Sequence, residues 1–216
     1  MKSVLPLIGA LVVAACTVQT PVNFAPAFNA GDLFEQRSGQ LIEQRIGGRY
    51  VLVVGGIDKL SRDVRGRGLS CSSYLFRVDI GSITRESVGQ ILGQVFEDLR
   101  IAPAAPTREE MREQNIDGVI TVRVDRFAPW LRFRDGTASS ALTNLDVSLV
   151  VEGANGPLFA TSVTTARRGE ADAGASCAGA AEAVARSVEF AIQDALTRLV
   201  DRLVESEELR RAAPRI

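Results

Sequence analysis

Three cysteines and a complete lack of histidine bound the chemistry open to this chain. Without an imidazole, Ser-His-Asp and Cys-His catalysis are excluded, and so is histidine-ligated zinc chemistry. Cys71 and Cys177 alone make a poor metal site, so neither a metal nor another cofactor is expected. Gly66-Arg67-Gly68 lacks the Walker spacing and the following helix of a phosphate loop. Asp125 and Asp146 fall on adjacent predicted strands. Opposite faces, or pairing with Arg123 and Arg126, account for them without catalysis. The chain is read as a non-enzyme. Its most suggestive surface run is Phe127-Ala128-Pro129-Trp130-Leu131-Arg132-Phe133-Arg134. Aromatics beside arginines are enriched at interfaces, which makes Phe127, Trp130, Arg132 and Arg134 the candidate partner-binding residues. The competing reading places Phe127 and Phe133 in the core with Trp130 half-buried at a sheet end.

Cys16 needs a different explanation. Lys2 leads into a small-apolar run over residues 4–15 that ends on this cysteine. The run is too short for a bilayer span, which takes ~20 apolar residues. It has the basic start, apolar centre and small-residue end of an export signal. Val13-Ala14-Ala15-Cys16 resembles the bacterial lipobox, in which the cysteine receives lipid and the signal is cut just before it. The resemblance implies a signal peptide over 1–15 and acylation of Cys16. With Thr17 and no aspartate next, it also implies a periplasm-facing anchor on the outer membrane. That compartment is oxidising, so Cys71 and Cys177 are expected to pair as a disulfide, the alternative being two separately buried thiols. Closing so long a loop would contribute ~4 to 5 kcal/mol by chain entropy.

The full chain has 25 basic and 26 acidic residues. Removing 1–15 takes away only Lys2, leaving 24 against 26 and a net charge of −2. Nucleic acid, which demands a concentrated basic surface, is excluded as a partner. No polybasic run marks an anionic-lipid site either. With 46% hydrophobic residues, one well-cored domain over 32–216 is expected. Residues 17–31 carry two prolines and no charge, and with Cys16 they read as an extended tether reaching ~45 Å at ~3.1 Å per residue.

Within the domain, residues 32–46 suit a short helix with Asp32 as N-cap. Gly47-Gly48 break it, and Tyr50-Val51-Leu52-Val53-Val54 read as a buried strand. Residues 57–69 read as a charged loop. Residues 71–80 alternate as a strand. Val88, Ile91, Leu92, Val95 and Leu99 then give an amphipathic helix over 84–99. Thr107 with Glu110 forms a capping box for a short helix. A strand over 119–124 meets a phase shift near Phe127, and Pro129 predicts a bulge or an edge. Residues 145–152 and 158–167 form a hairpin about Gly153-Ala154-Asn155-Gly156-Pro157. A flexible loop over 168–176 leads to a long helix over 178–203, striped by Val184, Val188, Ile192, Leu196, Leu199 and Leu203. The expected fold is α+β, an antiparallel β-sheet with two long amphipathic helices packed on one face.

The lipobox, the strand pair, the helix around Glu86-Ser87-Val88…Leu92…Phe96, the charged hairpin and the terminal helix together resemble small bacterial envelope lipoproteins of the YajG type. Auxiliary lipoproteins of ABC-type transporters are a second resemblance. The first implies a membrane-anchored accessory or binding module for an envelope assembly, with an envelope protein as partner. The second implies a lipid-handling component of a transport system. A hydrophobic groove between sheet and helices would favour lipid handling; a filled core with an exposed aromatic patch would favour partner binding.

Overall fold

The computed structural model describes residues 18–22, 45–57, 60–67, 73–133, 138–174 and 177–212. Cys16, Cys71, Arg134, the signal segment, most of the expected tether and the short helix expected from residue 32 lie outside them. Three long strands carry the fold: β6 (Gly118–Phe133), β7 (Ala138–Gly153) and β8 (Gly156–Asp172) form an antiparallel meander. Apolar residues at every second position put one face inside, with Ile120 opposite Val151, Val122 opposite Leu149 and Phe127 opposite Leu145. A bulge between Val124 and Arg126 shifts the phase. Even-numbered residues face inward before it and odd-numbered ones after it, which is how one extra residue re-aims a strand. Gly156, at φ 132, makes the tight turn between β7 and β8.

The other side of β6 is shared by two groups of strands. β2 (Ile46–Gly55) pairs parallel with its first half, from Tyr50–Gly118 to Gly55–Arg123. β5 (Phe96–Ile101) lies parallel on the far side of β2. Near the other end of β6, β3 (Ser61–Arg67) pairs parallel at Leu131 and Arg132; β4 (Tyr74–Asp79) returns antiparallel to β3. β1 (Val18–Pro21) lies parallel to β4. Pro129 falls in the stretch of β6 after its last pair with β2 and before its first with β3. A residue without an N–H is tolerated where one side of the strand has no ladder.

The helices are α1 (Gly81–Val95), α2 (Arg108–Glu113), α3 (Ala180–Glu205) and α4 (Glu207–Ala212). α1 and α3 bury their apolar stripes in one core on the inner face of the sheet. α2 begins at the expected capping box and covers a small cluster of Val51, Met111, Ile116 and Val119 on the other face. Hydrogen bonds from the Thr107 main chain and hydroxyl hold the Glu110 carboxyl below its usual range. Over the rest of that outer face, β6, β7 and β8 turn mostly partly or fully exposed residues outward, Ser140 being buried among them.

The expected antiparallel sheet with two long helices is corrected. The sheet has eight strands and is mixed, and the described residues hold one long helix, α3, with 26 residues. The helix expected over 84–99 stops at Val95, and the chain turns at once into β5. The helical period runs through Leu99, so local patterning does not detect the end. What wins is the unpaired edge of β2 and the Phe96 ring, which sits on Tyr50 with centroids 4.7 Å apart. Tertiary pairing overrides local preference here. The glycines taken as a break lie inside β2, where the register shifts between Ile46 and Arg49 and Gly48 adopts φ 103. The charged loop over 57–69 contains β3, whose Val64 and Gly66 point inward while Arg65 and Arg67 point out. Val18–Pro21, within the stretch expected as tether, is a sheet strand, and Val22 after it is buried.

Candidate functional site

The aromatic and arginine run lies on the last third of β6. Inward of the strand, Phe127, Leu131 and Phe133 join the core. Phe127 is only 5% exposed, so it is corrected from surface to core; its ring fills the space beside Leu145. Phe133 packs over Gly66, where any side chain would collide with its ring. Outward, Trp130 and Arg132 share one face, and Trp130 is 39% exposed. Trp130 stands opposite Leu142, and Arg132 opposite Ser140 on one side and Arg67 on the other. The structure thus keeps two of the four predicted contact residues on the surface, Trp130 and Arg132. Arg134 lies outside the described residues.

Sequence reasoning missed the neighbours of this pair. Arg65 and Arg67 are exposed on β3, and Arg65 is paired with Leu75, itself paired with Gln19 of β1. Four strands therefore meet at this end of the sheet, and three arginines converge there from positions far apart in the chain. Only recognising β3 as a strand parallel to β6 could have exposed that cluster. Its alternation, Asp63-Val64-Arg65-Gly66-Arg67, is visible once Gly66 is counted as an inward position.

Other polar clusters serve the fold. Arg123 Nε donates to Asp125 Oδ1 at 2.6 Å, which neutralises the carboxylate considered for catalysis. Asp146 stands across the ladder from Arg126. Asp194 on α3 is ion-paired with Arg167 of β8 at 2.6 Å and accepts from Arg198 Nε at 3.2 Å, so the helix is clamped to the edge strand. Thr143 and Ser187 hydroxyls meet at 2.8 Å beneath α3, and Thr165 Oγ1 donates to the Ala191 carbonyl at 3.2 Å. Among the described residues, no three histidine, cysteine, aspartate or glutamate side chains are grouped to hold a metal ion, and no helix is long and apolar enough to cross a membrane. Cys177, buried just before α3 at φ 60, is engaged with a partner, and the residue expected to pair with it, Cys71, lies outside the described residues.

No family model matches the sequence, and no curated protein matches it. Solved structures give partial likenesses. A Xanthomonas campestris protein assigned to the DUF330 family is 12% identical with a TM-score of 0.37, covering 86% of this chain and 98% of its own. A minor lipoprotein from Acinetobacter baumannii is 12% identical with a TM-score of 0.34, covering 77% of this chain and 95% of its own. Lipoprotein GNA1162 from Neisseria meningitidis is 11% identical with a TM-score of 0.30, covering 73% of this chain and 99% of its own. Likenesses of this extent assign the chain neither a family nor a function.

Proposed function

We propose that this chain is a lipid-anchored envelope lipoprotein acting as a non-enzymatic accessory binding module, with Trp130 and Arg132 at its contact surface. The observation that carries the binding reading is the outward pair itself: the chain's single tryptophan, 39% exposed and beside an arginine, on a strand held by β7 along its length. Such a pair offers large contact area and charge-assisted hydrogen bonds from a rigid support. The anchor reading rests on Val13-Ala14-Ala15-Cys16, and outer-membrane sorting on Thr17 after the cysteine. The likeness to YajG-type lipoproteins belongs to the same proposal. Against the lipid-handling alternative, the space between sheet and α3 is filled by Val184, Val188, Ile192, Leu196 and Leu199, all buried.

Three experiments test this reading. Cys16→Ser should abolish lipid labelling and release the body from membranes; unchanged membrane association would refute the anchor. Capture from native membranes, with protein and lipid both identified, should lose its partner in Trp130→Ala, at a cost of about 2 kcal/mol in binding. Equal recovery by the variant would refute the contact surface. A Cys71–Cys177 bridge is part of the same envelope reading. Non-reducing mass mapping should find the two joined, and two alkylatable thiols in envelope-purified protein would rule the bridge out.

A further inference from the structure

The start of β1 fixes how this body can sit on its membrane. Val18 is already in the sheet, with its N–H donating to the Ser73 carbonyl at 3.1 Å and its neighbour Gln19 paired with Leu75. Only Thr17 separates Val18 from Cys16. At no more than ~3.6 Å per residue, the lipid-bearing residue lies within about 7 Å of the sheet. A long tether is therefore not available between Cys16 and the sheet.

The chain directions agree on which end faces the anchor. β1 and β4 begin there, and β3 and β6 end there. Gln19 pairs with Leu75, Leu75 with Arg65, and the next residues Gly66 and Arg67 pair with Leu131 and Arg132. At about 4.8 Å per strand, Trp130 and Arg132 stand roughly 15 Å from β1 across the sheet. Val18, 44% exposed, and Trp130 are two exposed large hydrophobic residues at this end; Arg65, Arg67 and Arg132 are exposed on the face that carries Trp130, and Val18, in register with Tyr74, lies on the other. Among the described residues, the acids along this rim are Glu170 and Asp172, on β8 beyond β7. Glu170 faces Ser140, two strands and about 10 Å from Arg132. Asp63, lower on β3, accepts from Arg77 at 3.3 Å. A tryptophan with arginines beside an acylated chain end is the side-chain chemistry of a bilayer interface: the indole suits the headgroup level, and the guanidinium groups suit phosphate.

We propose that the end of the sheet carrying Val18, Arg65, Arg67, Trp130 and Arg132 rests on the phospholipid headgroups of the membrane that holds Cys16, so that the sheet stands on end and cannot swing. This names the first partner of the surface assigned above and rests on Cys16 being acylated. Because Trp130 is the only tryptophan in the chain, its fluorescence reports this contact without labelling.

The test uses the full lipidated chain in vesicles of phosphatidylcholine and phosphatidylglycerol, some of which carries a headgroup quencher. The expected result is a blue-shifted Trp130 emission, quenched from the headgroups and shielded from aqueous acrylamide. Neutralising Arg65, Arg67 and Arg132 to glutamine should lower headgroup quenching while flotation and melting stay unchanged. Each arginine near an anionic surface is worth about fivefold in attraction. Pure phosphatidylcholine should weaken quenching in the native chain and leave the triple variant unaffected. If the chain floats with the vesicles but Trp130 stays open to acrylamide and unquenched from the headgroups, the resting surface is wrong and the anchor stands. If the native chain does not float, the anchor reading fails, and this inference falls with it.

Discussion

The two flanks of β6 are built by different rules. On one side, β7 and β8 form an antiparallel meander whose inward positions are apolar, small or hydroxyl-bearing, apart from Arg167, which pairs with Asp194 of the α3 that closes it. On the other, short strands from four separate parts of the chain pair mostly in parallel, with α1 leading straight into β5. The meander joins neighbours in sequence through a tight turn, so its stability is mostly local. The parallel flank depends on contacts between residues some fifty positions apart, such as Tyr50 with Leu99. Long-range pairing of this kind closes large loops before it is rewarded by contacts.

Substitution at the junction of that flank should show the largest effect. Phe96 is fully buried and packs on Tyr50. Phe96→Ala should cost about 3–5 kcal/mol by chemical denaturation, the usual loss for a large core aromatic. A loss below 1 kcal/mol would mean that β5 is not held by this contact. Next in size is the clamp on the opposite flank. A side chain at Gly169 of β8 would run into the Ala183 carbonyl and the Ser187 main chain of α3. Gly169→Ala should cost about 1–3 kcal/mol by overpacking. Hydrogen exchange should show the loss of protection concentrated in α3 and β8, with β2 and β5 little affected. Uniform loosening across both flanks would erase the distinction between them.

That distinction also governs what could be read from the sequence. The stripe of α3, the capping box at Thr107 and the central parts of the meander strands were legible because each writes its pattern within its own residues. By contrast, β7 starts at Ala138, ahead of the expected 145, and β8 runs on to Asp172, through part of the loop expected over 168–176. Pro129 marked irregularity a few residues from the bulge at Asp125. The parallel flank was not legible. Leu99 continues the helical period of Val88, Ile91, Leu92 and Val95, yet belongs to β5. Gly66 interrupts the apolar alternation of β3 because the Phe133 ring, contributed by β6, fills the space a side chain would take. The same remoteness hid the arginine cluster. Trp130 and Arg132 were visible as a run, but Arg65 and Arg67 become their neighbours only through the parallel register of β3 with β6. Phe127 was open to both a surface and a core reading until the bulge turned it inward.

A third, smaller effect should separate the flanks by pH. Tyr50 is buried against Phe96, and burial, with Asp117 adding to it, pushes its phenol from 10.0 up to about 12. The neutral phenol is the form the folded state favours. The stability this contributes is complete below pH 10 and is lost as pH rises through the folded value near 12. Denaturation series between these limits should show a decline that Tyr50→Phe removes. A decline of equal slope in the variant would assign alkaline loss to other groups.

The smallest effect on stability should come from the residue proposed to matter most for contact. Trp130 stands on the meander side of β6, opposite Leu142, with its indole on the outer face and the core below it already filled by Leu131 and Phe133. Truncating it removes no core volume and leaves no buried polar group unpaired. Trp130→Ala should therefore shift folding stability by no more than about 0.5 kcal/mol, the range of surface substitutions away from special features. Phe127→Ala, three positions earlier and turned inward, should cost about 3–5 kcal/mol. Thermal or denaturant melts of the two variants side by side test whether the bulge sorts this run into core and contact residues. If Trp130→Ala melts as early as Phe127→Ala, the indole is part of the core and the contact surface must be sought elsewhere.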